Sequence, residues 1–292
     1  MTQRWVFRLA VAAAVFTYLL LTVGGIVTSR EAGMIFADWP LSEGSVNPDG
    51  WTRDADKASE HGHRLLGGLV GLLTIVLALS IQRTDKRRFV RVLGWFALLF
   101  VIVQGLLGGL RVTEISPELA LVHGCSGQAF FCLMVALAYL LSRDARRHPE
   151  DGADPRPFVM IAAAVVFVIF MQIVVGAQLR HQNGPIVAHV LGAMFVLGSV
   201  VWLLTIATMR YGDRPALRRP VFLLAALLLA QIALGIVSAH VILNAKGLEL
   251  TAAEVLLPTA HQSVGALMLA TSVVALLRGR HRLRPSPREV FA

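Results

Sequence analysis

Eight separate runs of apolar residues, each close to the roughly 20 needed to cross a hydrocarbon layer as a helix, leave this chain few folds to choose from. They fall near 5–27, 60–81, 90–110, 119–142, 158–178, 184–207, 219–242 and 257–277. In lipid every backbone N–H and C=O must be satisfied within the segment or in a closed barrel, and uninterrupted apolar runs fit helices. The chain has 292 residues, of which 56% are hydrophobic and 15% charged, with a mean hydropathy of +0.67. That excludes a soluble two-domain protein and predicts an all-α, polytopic membrane protein with eight transmembrane helices. The first run, "WVFRLAVAAAVFTYLLLTVGGIVTS", is too long for a signal peptide and lacks a convincing small-residue cleavage site, so a retained helix is expected.

The net charge of +9 is a topology signal rather than a nucleic-acid footprint. Most of the Lys and Arg lie beside Arg4 and Arg8 or in "RTDKRRFVR", "RDARRHPEDGADPRP", "RYGDRPALRR" and "RGRHRLRPSPR", which are alternate connections and the tail. By the positive-inside rule both termini face the cytoplasm of a multi-pass protein of the cell inner membrane. The outer connections include two long segments, 28–59 and 243–256. Cys125 and Cys132, seven residues apart in the fourth span, share roughly one helical face and read as small core residues.

A repeat runs through the spans. Three odd-numbered spans end in Gln with Gly four residues on: Gln104 and Gly108, Gln172 and Gly176, Gln231 and Gly235. The first span has Gly25 in the comparable place and no Gln. Each even-numbered span opens with a histidine: His63, His123, His189 and His261. Small residues follow about one turn later, at Gly67, Gly127, Gly192 with Ala193, and Gly265. The predicted organisation is two pseudo-symmetric four-helix bundles, 1–142 and 158–278, joined by a cytoplasmic linker, 143–157, and followed by a basic tail, 279–292.

Alternating span direction puts all four histidines at one depth near the outer surface, about a turn inside their helices. Interfacial side chains or helix-to-helix hydrogen bonds explain a single such histidine. Four at equivalent positions suit two haems, each gripped by two imidazoles from facing helices. A glycine one turn later lets a flat macrocycle lie against the helix, or merely lets two helices approach closely. Zinc fits less well, because a closed site calls for Cys or carboxylate in a tetrahedral array and only Glu60 is placed to help. His61, His148, His181, His240 and His281 have no repeat equivalents at helix starts and read as loop or interface residues. Glu60, three residues before His63, has no acidic counterpart before the other three, where Ala120, Ile186 and Pro258 stand. It marks the first half as the place where a proton is handled, or it stabilises a helix N-terminus. Arg64, Arg111 and Arg180 are candidate partners for haem propionates, or snorkelling interfacial residues.

"ExxHR" as Glu60, His63 and Arg64, "GGIVTSREAGM" before "DWP" at 38–40, and the histidines opening spans four, six and eight together resemble haem A synthases over about residues 20–278. The resemblance implies an eight-helix fold whose N-terminal half receives haem O at His63 and His123. The C-terminal half would keep haem b as cofactor at His189 and His261, and Glu60 would be the catalytically important carboxylate. The implied reaction oxidises the ring-D methyl of haem O to a formyl group by successive hydroxylations and loss of water, with haem b relaying electrons. Its implied partners, besides haem O and membrane lipid, are a haem O synthase and an electron donor, with no role for nucleic acid. Some bacterial members carry a cysteine pair in the first outer loop; residues 28–59 have none. A di-haem b-type electron-transfer cytochrome is the alternative, and it leaves Glu60 without a role. A transporter or assembly scaffold leaves the matched histidines idle.

Overall fold

The computed structural model describes residues 2–147, 150, 151, 154–245, 247 and 250–284; His148 and the tail beyond 284 lie outside them. The helices are α1 (Thr2–Ser29), α2 (Ala55–Thr84), α3 (Arg88–Thr113), α4 (Pro117–Leu141), α5 (Arg156–Gln182), α6 (Ile186–Met209), α7 (Pro215–Leu243) and α8 (Ala252–Arg282). All eight are long and apolar enough to span a membrane.

Most helices outrun their apolar cores, because polar residues cap them outside the greasy stretch. Asp54 caps α2 by accepting hydrogen bonds from the backbone N–H groups of Asp56 and Lys57 at 2.8 and 3.0 Å. The Lys57 and Asp56 N–H groups hold its carboxyl below the ordinary range. Thr251 and Glu254 form a capping box at α8. Ser116 accepts from Leu119 N–H at α4, with Pro117 following at the first helical position. The two long outer segments therefore shrink to 30–54 and 244–251. His63 and His261 lie more than two turns inside their helices, deeper than the single turn expected.

In the N-terminal half α1 and α3 each pack on α2 and α4; in the C-terminal half α5 and α7 each pack on α6 and α8. The histidine-bearing helices of each half thus sit across a ring from one another. The buried apolar clusters fill only one end of each ring. In the first half they comprise Val6 and Ala10 of α1, Leu77 and Ile81 of α2, Val90 and Ala97 of α3, and Met134 and Leu137 of α4. In the second they comprise Phe158 and Val165 of α5, Leu203 and Ala207 of α6, Leu217 and Leu224 of α7, and Leu269 and Ala275 of α8. All of these lie at the end away from the histidines.

The halves meet through α1 against α8 and through α4 against α5 and α8. The α1–α8 seam is partly polar: Thr22 Oγ1 and Ser263 Oγ are 3.1 Å apart, Ser29 Oγ and Thr259 Oγ1 3.2 Å, and Gln262 donates to Leu21 O at 3.3 Å. At the packed end the linker is tied to α8 and to the residues just after it: Arg278 Nε of α8 donates to Asp144 at 3.0 Å, and two-residue strands β1 (Glu150–Asp151) and β2 (Leu283–Arg284) pair in parallel. Both cysteines are free thiols. Cys125 is buried, and Cys132 packs against the core of the second half.

Candidate functional site

One contact is repeated four times. The Cε1 atoms of His63, His123, His189 and His261 lie 3.0, 3.2, 3.1 and 2.9 Å from where a Cβ would stand on Gly24, Gly108, Gly176 and Gly235 of the preceding helix. Each imidazole therefore leans on a bare backbone that any side chain would fill. In α1 the partner is Gly24, not the Gly25 expected from the sequence. Gly25 faces Thr259 and Gln262 across the seam between halves instead.

Counting back four residues from each cradle glycine gives Leu20, Gln104, Gln172 and Gln231. Gln172 Nε2 lies 3.1 Å from His189 Nδ1 and donates to His189 O at 2.7 Å. Gln231 Nε2 lies 3.2 Å from His261 Nε2, and the Gln231 carbonyl is 3.1 Å from His261 Nδ1. Gln104 turns away and donates to Ser126 Oγ at 2.6 Å. These glutamines also account for the glycines after the histidines. A Cβ on Gly192 would come within 2.0 Å of Gln172 Oε1, and one on Gly265 within 3.3 Å of Gln231 Nε2. In the C-terminal half those glycines face a glutamine of the preceding helix, in line with the close-approach reading of the sequence. Gly67, by contrast, has nothing within 4 Å of its Cβ position.

His189 and His261 face each other across their ring with centroids 6.1 Å apart and planes at 65°. Two imidazoles on opposite faces of one iron stand roughly 6 Å apart, given metal–nitrogen bonds of about 2 Å. Among the described residues no three His, Cys, Asp or Glu side chains converge as metal ligands, so the donor set is two imidazoles and suits axial ligation of a planar macrocycle. In the N-terminal half the buried rings of His63 and His123 lie within reach of the backbone carbonyls of Leu20 and Gln104, as His261 does of the Gln231 carbonyl. Arg111, near both rings and Glu60, lays its guanidinium against Gly33 of the loop between α1 and α2.

Glu60, His61 and Arg64 of "SEHGHR" grip that loop. Glu60 Oε2 accepts from Ile35 and Phe36 N–H at 2.7 and 3.1 Å, while Oε1 takes the Arg64 guanidinium. Arg64 also donates to the carbonyls of Phe36, Asp38 and Leu41. Glu60 is thus buried in the second turn of α2, where Asp54 already caps the helix, and it does not serve as an N-terminal residue. His61 bonds to Ser42 Oγ at 2.9 Å and lies edge-on to Phe36 and Trp51. Asp38 closes the loop by accepting from Gly44 and Glu43 N–H, and the Gly44 contact is foremost in holding its carboxyl below the ordinary range. The Trp39 ring covers Gly109, where a Cβ would meet Cδ2 at 2.6 Å. Gly109→Val is expected to undock the loop at a cost of about 1–3 kcal/mol, read as faster proteolytic cleavage within residues 35–51; unchanged cleavage would refute the contact.

Of the other predicted partners, Arg180 donates to Ser29 Oγ and to the Gly25 carbonyl, tying α5 to α1. His181 lies at the end of α5 within electrostatic reach of Arg180 and Arg111; His240 is near Asn244 at the end of α7. His281 packs by Tyr139 at the opposite end of the molecule. Sequence reasoning named the four histidines and Glu60 but missed Gly24 and the roles of Gln172 and Gln231. The Gln-to-Gly spacing was the available signal for the glutamines.

Residues 7–188 match the family described as cytochrome oxidase assembly protein, COX15-CtaA. Curated proteins similar to the chain include the Heme A synthase of Symbiobacterium thermophilum, 32% identical over 260 residues, covering 77% of this chain and 83% of that protein. The Heme A synthase of Alkalihalophilus pseudofirmus is 30% identical over 182 residues, 61% of this chain and 60% of that protein. The Heme A synthase of Halalkalibacterium halodurans is 29% identical over 172 residues, 58% and 57% respectively. The chain therefore spans less than two thirds of the length of the latter two.

Proposed function

The chain belongs to the COX15-CtaA family of cytochrome oxidase assembly proteins, and on that premise we propose that it is a haem A synthase of the cell inner membrane. It is an oxidoreductase that converts the ring-D methyl of haem O to a formyl group. The observation that carries this reading is the fourfold seating of a histidine on a glycine, with the His189 and His261 rings facing each other 6.1 Å apart, where they would hold a haem.

In this reading both termini are cytoplasmic and the histidine ends of the rings face the outer side. His189 and His261 hold the cofactor, haem b, which when bound supplies one-electron redox chemistry. His63 and His123 hold the substrate, haem O, and Arg111 neutralises a propionate beside them. Arg64 and Arg180, both already engaged by backbone or hydroxyl oxygens, serve the architecture of the site instead. Glu60 takes up a proton released as the methyl carbon is oxidised. The loop it clamps shields the substrate end from bulk water. A haem O synthase upstream and an electron-transfer partner complete the set.

Expression beside a haem O synthase, followed by mass analysis of the extracted haems, tests the proposal. Haem A is the expected product. Haem O alone, with a bound b-type spectrum, would favour an electron-transfer cytochrome instead.

A further inference from the structure

We infer that the slot between Trp5 of α1 and residues 76–83 of α2 is a binding site for one anionic phospholipid, which lays an acyl chain in the slot and its phosphate against Arg83. The slot encloses about 270 Å³ and is lined by Trp5, Val76, Leu79, Ser80, Arg83 and Thr84. Trp5, Val76 and Leu79 are exposed, so it opens on the outside of the first ring, at the packed end and away from the histidines. None of its residues belongs to the haem chemistry proposed above.

Residues 76, 79, 80 and 83 recur at helical spacing and share one face of α2, while Leu77 and Ile81, with Val6 beside Trp5, turn inward to the buried cluster. The hydroxyls in the slot are already satisfied: Ser80 Oγ donates to the Val76 carbonyl at 2.5 Å and Thr84 Oγ1 to the Ser80 carbonyl at 2.7 Å. What remains on the walls is mainly apolar and suits a hydrocarbon chain. Arg83 stands one residue from the end of α2, where the span gives way to the connection to α3. Arg4 and Arg8 flank Trp5 at the same end of α1, and all three arginines are exposed. Among the described residues none of the three has an ion pair or side-chain hydrogen bond. Asp85, two residues beyond Arg83, is already taken by Arg87 and Arg146 at 2.7 and 3.6 Å. Uncompensated guanidinium groups at the edge of a span attract anionic headgroups, and Arg can pair a phosphate through two parallel N–H groups. An indole at the same level is at home in the headgroup layer. An apolar slot with a cation at its mouth thus matches both parts of such a lipid.

Full-length protein in phosphatidylcholine nanodiscs, with a rising fraction of phosphatidylglycerol brominated on its acyl chains, gives the test. The Trp5 emission is taken as the difference between each protein and its Trp5→Phe counterpart. Trp5 is expected to be quenched at a lower fraction of brominated phosphatidylglycerol than of brominated phosphatidylethanolamine. Arg83→Gln, a change at an exposed position, is expected to raise the fraction needed about fivefold. Added salt should raise it as well, and Arg83→Lys, which keeps the charge, should retain most of the wild-type response. Equal quenching by the two lipids, unmoved by Arg83→Gln, would mean ordinary contact with bulk lipid and would overturn the inference. So would a Trp5 shielded from both lipids while Arg83→Cys chains cross-link in pairs, which would put a second copy of the chain in the slot.

Discussion

His261→Ala is expected to empty the C-terminal half of haem, weakening its hold by more than about 100-fold and abolishing formation of haem A. The ring opposes His189 at 6.1 Å and otherwise meets Gln231 and the backbone at Gly235, so its removal would take away a proposed iron ligand without breaking the apolar core. That core lies at the other end of the helices, and the variant should fold and insert normally. His63→Ala provides the contrast: the cofactor half keeps its spectrum and conversion stops at haem O. Optical spectra of the two purified variants, with haem extraction from the expressing cells, check both. If His261→Ala kept the wild-type low-spin spectrum, the assignment of that pair would fail.

Glu60→Gln is expected to lower conversion about 100-fold, in the range of a lost general acid or base. The structure complicates the experiment in an instructive way. Glu60 accepts two backbone N–H groups and an arginine, so an amide in its place turns donors against donors and costs about 1–3 kcal/mol of loop docking. Arg64→Met separates the two effects, since it releases the Phe36, Asp38 and Leu41 carbonyls while leaving the carboxylate in place. It should reduce conversion less than about tenfold, if the carboxylate itself handles the proton. Equal losses in both variants would reduce Glu60 to a clamp for the loop.

The spans were legible because lipid tolerates so few backbone solutions that a run of apolar residues is nearly a structure in itself. The histidines were legible because they recur at a fixed place in a repeat. What escaped the sequence depends on contacts between segments that share no periodicity. Nothing in "EAGMIFADWPLSEG" announces that its backbone folds onto Glu60 and Arg64, since backbone groups carry no residue-specific signal. The doubled glycine at 24 and 25 hid which one carries the His63 ring, because a one-residue step on a helix rotates the contact by roughly 100°. The small residues after the histidines read equally as room for a macrocycle or for a close-packed helix, and in the C-terminal half they face Gln172 and Gln231. Arg64 and Arg111 read alike as outer cations, and only the fold separates them. One is saturated by loop carbonyls, and the other lies close to both ligand histidines of the first half.

Confining the apolar clusters to one end of each ring gives the molecule an uneven stiffness along its long axis. Resistance to unfolding is concentrated in the cluster of Val6 and Leu77 and in the separate cluster of Phe158 and Leu217, far from the imidazoles. The opposite ends of the helices can spread to admit a plate as broad as a porphyrin at a small fraction of the free energy of global unfolding. On the proposed reading, a substrate that must enter, be altered and leave again would meet a vise hinged at its packed base, whose jaws move without loosening the joint.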